Sequence, residues 1–468
     1  MFLNNLFILC YFLGGNSDVP TASSDTINTY YTINNIQIAG NKITKPGIIL
    51  RELSFATYDS ILKPDFSNRI KQAHENLLNT SLFNFVTIDT IFITATKINI
   101  SIQVTERWYT WPIPILEIQE RNFNTWWLTK DFNRTNYGFY LNRDNFRGRK
   151  EALRFKLRMG YAEQYGIAYA IPYINKKKTS GLGFAITYSR SHELAYNTIQ
   201  NALLYYKDNT HYVKKEFSSA INYIHRQGIY NTHTLDVGYY KGFIADTLRF
   251  LNAEYYNTRH TTTELIAINY LFKSDYRDFK VYPLQGYYFE FGINKLGLGI
   301  LKNEKINTLN FSATLKKYSN LIDRLYIAGA LKTTIASNYQ KAYYTQQAIG
   351  FKEYVRGYEY YVINGQNYSL LKMVLKYQLV KPTKQEFMQS KMKRFSPIHY
   401  ALYTNIFSDL AYVTEKFNYR YNSLTNTLLF GTGLGIDLVT YYDTVWRIEY
   451  AINRNLEHGF FLHLNAPL

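Results

Sequence analysis

The stretch Glu151-Ala152-Leu153-Arg154-Phe155-Lys156-Leu157-Arg158-Met159 decides how most of the chain reads. Leu153, Phe155, Leu157 and Met159 alternate with Arg154, Lys156 and Arg158. A period of two puts each set on its own face of a sheet, one apolar and one basic. The pattern returns downstream. Tyr287, Phe289, Phe291 and Ile293 alternate with Tyr288, Glu290, Gly292 and Asn294, and Leu309, Phe311, Ala313 and Leu315 with Asn310, Ser312, Thr314 and Lys316. Such segments run about 10–15 residues, whereas strands of soluble proteins average about 5–6 and a tilted strand crosses a bilayer in about 9–11. One apolar face and one wet face at that length point to a transmembrane β-barrel. Soluble sandwiches and propellers also alternate, but in shorter strands with more regular turns.

Composition narrows the classes further. The chain has 468 residues and a net charge of +18. Its hydrophobic content of 46% is too high for a disordered chain. A single cysteine, Cys10, excludes a disulfide scaffold and a cysteine-based zinc module. No internal run reaches the roughly 18 apolar residues of a membrane-spanning helix. The excess of basic residues invites a nucleic-acid reading, yet apart from Lys176-Lys177-Lys178 and residues 391–394 they are dispersed singly. That dispersal fits a solvated or lumen-facing surface, and no nucleic-acid partner is expected. The 46 tyrosines fit aromatic belts at the two membrane interfaces, where an apolar ring with a polar tip is at home.

Outward from the alternating region, the organisation is as follows. Residues 1–24, with the apolar run Leu6 to Leu13, read as a signal peptide and flexible N-terminus, though without a basic residue ahead of the run. Residues 30–107 read as a small α+β domain in the order strand, helix, helix, strand, strand. Ile33, Ile36 and Ile38 open it, Pro46 to Leu53 forms a short helix, and Ile70, Ala73 and Leu77 share one face of a second. Residues 108–136, opening with Trp108 to Pro114, read as a linker. Residues 137–468 form the barrel, with about sixteen strands from Tyr137–Asn142 to Gly459–Asn465. Tyr196–Lys207 is counted as the fifth strand, and a long loop spans 338–367. An even count suits single-chain bacterial barrels.

Four motifs then carry a family resemblance. Asn35-Ile36-Gln37-Ile38-Ala39-Gly40-Asn41, with Ile49 to Leu53 and Leu82 to Val86, resembles a polypeptide-transport-associated (POTRA) domain. Asp275-Tyr276-Arg277-Asp278, with Tyr282-Pro283 and Gly286, is similar to a turn before the ninth strand. Val355-Arg356-Gly357-Tyr358 matches a hallmark loop tetrapeptide. Phe407-Ser408-Asp409-Leu410-Ala411 resembles a strand motif in which Ala411 replaces the usual glycine. In this order the set resembles the BamA/TamA-like outer-membrane assembly factors. The resemblance implies that the tetrapeptide loop enters the lumen and that Arg356 pairs with Asp409, in a charge-assisted, forked geometry that suits arginine better than lysine. It also implies a working seam between first and last strands. His458 to Leu464 resembles a terminal β-signal without the usual final aromatic.

The resemblance implies a bacterial outer-membrane protein, its POTRA-like domain periplasmic, that assists insertion of outer-membrane proteins or translocation of polypeptides. Its partners would be the lipid bilayer, unfolded outer-membrane or secreted clients, and accessory lipoproteins. Two alternatives are a two-partner-type secretion pore for a dedicated protein and a passive, anion-preferring channel. No catalytic constellation, cofactor motif or metal spacing is read. Gly431-Thr432-Gly433-Leu434-Gly435 lies in an alternating strand, where glycines make room for the loop or curve the strand.

Overall fold

The computed structural model describes residues 30–464 apart from 119–126, 129, 131, 258, 339–341, 386–397, 418 and 441–443. The leader over 1–24, the basic stretch at 391–394 and the terminal residues 465–468 lie outside the described residues.

The small domain comprises β1 (Tyr30–Ala39), α1 (Pro46–Leu50), β2 (Ser60–Leu62), α2 (Lys63–Leu78), β3 (Phe83–Phe92) and β4 (Lys97–Glu106). Its sheet has the order β2-β1-β4-β3, with β1 parallel to β4. Proline stands in the first turn of both helices, where a missing N–H has no intrahelical partner to lose. Ala73 and Leu77, one turn apart on α2, pack against Ile33, Ile49, Phe83, Ile98 and Ile100, all fully buried. The structure adds β2 to the order read from sequence.

Residues 107–109 alone join β4 to β5 (Thr110–Ile118). Here the structure departs from the sequence reading, which makes 108–136 a linker and starts the barrel at Tyr137. β5 is the barrel's first strand, paired with β6 (Thr135–Phe146) throughout its length. Pro112 and Pro114 disguise it, because proline cannot donate to a ladder and argues against a central strand. An edge strand tolerates both.

β7 (Glu151–Gly160), β8 (Ala162–Ile171) and β9 (Ser180–Ser191) continue the wall. β10 (Glu193–Ile199) and β11 (Ala202–Lys207) pair only with each other, so the segment 196–207 is no barrel strand but part of a hairpin beyond the end of β9. β12 (Lys214–Gln227), β13 (Asn231–Ile244), the short helix α3 (Leu248–Leu251), β14 (Thr262–Asp275), β15 (Gly286–Leu296), β16 (Thr308–Ile322) and β17 (Leu325–Ala336) follow. The long loop holds β18 (Gln347–Ile349) and β19 (Ile363–Asn364). The wall ends with β20 (Asn367–Gln385), β21 (Ile398–Thr414), β22 (Leu428–Val439), β23 (Val445–Asn453) and β24 (His458–Leu464). The result is one 16-stranded antiparallel sheet running from β5 to β24. The total of sixteen stands, but β5 replaces the hairpin in it.

Alternation places the apolar rows on the outer wall. Phe184, Ile186, Ile221, Leu235 and Val237 are exposed there, as a lipid-facing surface requires. Tyrosines divide between two environments. Tyr137, Tyr223 and Tyr450 lie on the outer wall, while Tyr255, Tyr256, Tyr282, Tyr343 and Tyr358 are buried. A phenol fills lumen volume and still hydrogen-bonds at its tip, so the tyrosine excess is not confined to interface belts.

Candidate functional site

The tetrapeptide lies inside the barrel. Val355, Arg356 and Tyr358 are almost wholly buried, and Gly357 has φ +90°, a left-handed conformation that favours glycine. On β21, Phe407, Asp409 and Ala411 occupy alternate positions on the inner face and are also buried. Arg356 meets this face directly. Its Nε donates to Asp409 Oδ2 at 2.9 Å, its second terminal nitrogen donates to Oδ1, and its backbone N–H donates to Oδ2 at 3.1 Å. The guanidinium lies 3.9 Å from the centre of the Phe407 ring. This is a bidentate, charge-assisted pair with a cation–π contact beneath it. Ala411 packs with Val355 and Tyr358 in one apolar cluster.

The neighbouring strand is shaped to admit the loop. Gly431 of β22 is the register partner of Asp409, and a Cβ there would stand 1.8 Å from the Arg356 carbonyl oxygen. Asn453 Nδ2 donates to the Gly357 carbonyl at 2.9 Å. Arg356 also donates to Glu449 at 3.1 Å, and Lys372 lies 3.9 Å from Asp409. Arg447 forks onto Asp437 at 2.7 and 3.0 Å, and the Tyr282 hydroxyl donates to the same carboxylate at 2.7 Å. His463 approaches Glu359 of the loop at 3.7 Å and Glu449 at 3.5 Å. Three arginine and lysine cations thus meet Asp409, Asp437 and Glu449 in a space closed to solvent. Since each buried charge needs a partner, the network admits few loop positions.

Sequence reasoning named Arg356 and Asp409 but not Glu449, Asp437 or Arg447, nor any role for Tyr282. The available signal was alternation: Arg447 and Glu449 share one face of a strand whose other face carries Trp446, Ile448 and Tyr450.

A second constellation joins the small domain to one end of the barrel. Glu52, 2% exposed, accepts two bonds of 2.6 Å from Arg226, and Lys150 lies 3.8 Å away. The Tyr173 hydroxyl donates to Glu52 at 3.2 Å. Burial pushes the Glu52 carboxyl up, but Lys150, Arg226 and Arg51 outweigh it and bring it to about 2. Burial lowers Lys150 to about 8 against the pull of Glu52. Arg51 donates to the carbonyls of Lys178 and Gly228, Lys45 N–H to that of Gly148, and Asn79 exchanges bonds with Asp278 and Lys280. The domain therefore rests on the turns after β6, β8, β12 and β14. A cavity of about 260 Å³ lies between them.

The third feature is the seam. β5 and β24 stand at the two ends of the sheet, and among the described residues no backbone ladder joins them. Both are short, 9 and 7 residues. Residues 145–452, nearly the whole wall together with its loop, match the Omp85 superfamily domain. The chain belongs to the Omp85 superfamily. The BamA/TamA-like resemblance read from the motifs is of this family, and Omp85 membership makes the wall an outer-membrane barrel. Among solved structures, BamA from Haemophilus ducreyi lacking POTRA domains 1–3 is 14% identical with a TM-score of 0.52, over 92% of this chain and 83% of that one. CdiB from Escherichia coli is 10% identical with a TM-score of 0.53, over 96% and 92%. At these identities the likeness to other Omp85 folds is one of architecture. No curated protein matches the chain by sequence.

Proposed function

We propose that this barrel assists the insertion of outer-membrane proteins or the translocation of polypeptides, with the seam between β5 and β24 as its working edge. One observation carries the reading: among the described residues the wall is a continuous antiparallel sheet except where its two ends meet. In a bilayer an open strand edge is costly unless something pairs with it, so an unladdered seam offers backbone partners to an incoming strand. The small domain acts as a periplasmic POTRA domain that receives the client at the same end of the barrel. The buried loop weighs against a passive pore, because Arg356 and its partners fasten it inside the barrel.

Depletion followed by outer-membrane proteomics tests the proposal. General loss of barrel proteins supports insertion, and loss of one exported protein supports dedicated secretion. An unchanged outer-membrane proteome and exported set would sink both.

A further inference from the structure

The outer edge of β5 has a definite hydrogen-bonding character that follows from its register. Asp144 N–H donates to the Tyr109 carbonyl at 2.7 Å, and the same register pairs Thr110 with Arg143. In an antiparallel pair, residues that exchange bonds alternate with residues whose N–H and C=O point the other way. Trp111, Ile113, Ile115 and Glu117 therefore bond to β6. The backbone groups of Thr110, Pro112, Pro114, Leu116 and Ile118 face the seam. Two of those five residues are proline and carry no N–H. The edge thus carries five carbonyls, of which that of Thr110 already accepts from the Trp108 indole N–H, but only three donors, and its prolines are adjacent in the seam-facing series. On β24 the phase follows from Asn453 N–H donating to Glu457 at 2.9 Å, which leaves His458, Phe460, Leu462 and Leu464 facing the seam with all their donors. Among the described residues nothing covers the edge of β5 on its lipid side: Leu116 is 82% exposed.

We propose that Pro112 and Pro114 keep the chain's own last strand from closing on this half of β5, and that the edge serves an extended segment of an unfolded client that donates N–H groups to their carbonyls. A strand bound there permanently would hold carbonyls opposite the prolines without a donor, in a medium that supplies none. A client strand passing the edge is held by half of the usual bonds at this level and leaves readily. The client assignment rests on the proposed function; the proline gap rests on register alone.

The test uses the full chain with Cys10 changed to serine, and Ile113→Cys paired in turn with Gly459→Cys, Phe461→Cys and His463→Cys, which share its lumen face. Pro112→Val with Pro114→Val restores two donors, so disulfide yield across the seam should rise roughly tenfold, the net worth of two hydrogen bonds. The temperature at which the folded barrel loses its gel mobility should rise with it. Insertion of a small urea-unfolded barrel protein into phosphatidylcholine vesicles should slow several-fold. Unchanged cross-linking and unfolding temperature would overturn the proline gap. Faster closure with undiminished insertion would overturn the client assignment, whereas absence of insertion by the parent chain would instead refute the proposed function. A second variant guards against misfolding. Leu116→Pro removes a seam-facing donor and should lower cross-linking while the barrel still folds, but Ile115→Pro removes a bond to β6 and should not leave a folded barrel. Equal damage by the two would overturn the assigned register.

Discussion

Arg356 is held by two carboxylates, a backbone anchor and an aromatic face, and losing the guanidinium leaves buried carboxylates short of a cation. Arg356→Ala leaves Asp409 and Glu449 buried with one cation fewer, at a cost of about 3–5 kcal/mol. Arg356→Lys keeps the charge but loses the fork, so it should fall between wild type and alanine. Urea unfolding of the barrel in detergent, followed by gel mobility, measures both, and equal stability of all three chains would refute the pairing's structural role. A complementary probe is Gly431→Ala. Its methyl would meet the Arg356 carbonyl at 1.8 Å, so the loop must shift and single-channel conductance in planar bilayers should rise. At this scale the sequence was partly legible. Arg356 and Asp409 could be read as motif residues, but Glu449, Asp437 and Arg447 could not, because alternation reveals a lumen face without revealing which lumen residues meet across it.

Among the elements, the contact between α1 and the barrel turns has a pH dependence that follows from its charges. Glu52 titrates at about 2 when docked against an ordinary 4.5, so its contribution is complete above about pH 4.5 and is lost as pH falls toward 2. Lys150 titrates at about 8 when docked against an ordinary 10.5. The docked form therefore sheds a proton first, and docking tightens as pH rises from 8 to about 10.5. Spin-label distances between α2 and the β14–β15 turn should stay constant from pH 5 to 7, lengthen or broaden toward pH 3, and narrow above pH 8. Glu52→Gln should remove the acidic limb and broaden the distribution at neutral pH. The elements also show where period-two reading stops. It located fifteen of the wall strands because each has a lipid face and a lumen face. It admitted the segment 196–207, which alternates as a hairpin must, and it passed over Thr110–Ile118, where two prolines signal a loop. Parity concealed the exchange, since one strand entered as another left.

For the whole molecule, a lumen occupied by a locked loop predicts low, intermittent conductance in planar bilayers. Removing the loop between residues 345 and 365 should convert it to a stable open channel; high steady conductance of the intact chain would contradict the plugged state. The docking pattern has a mechanical consequence. The small domain grips turns belonging to β6 through β15, while the loop is fastened to β21, β22 and β23. A pull on the domain is thus a torque applied to one side of the cylinder, with the other side weighted by its plug. The wall between the two grips bends as a spring, and the free ends at β5 and β24 move the farthest.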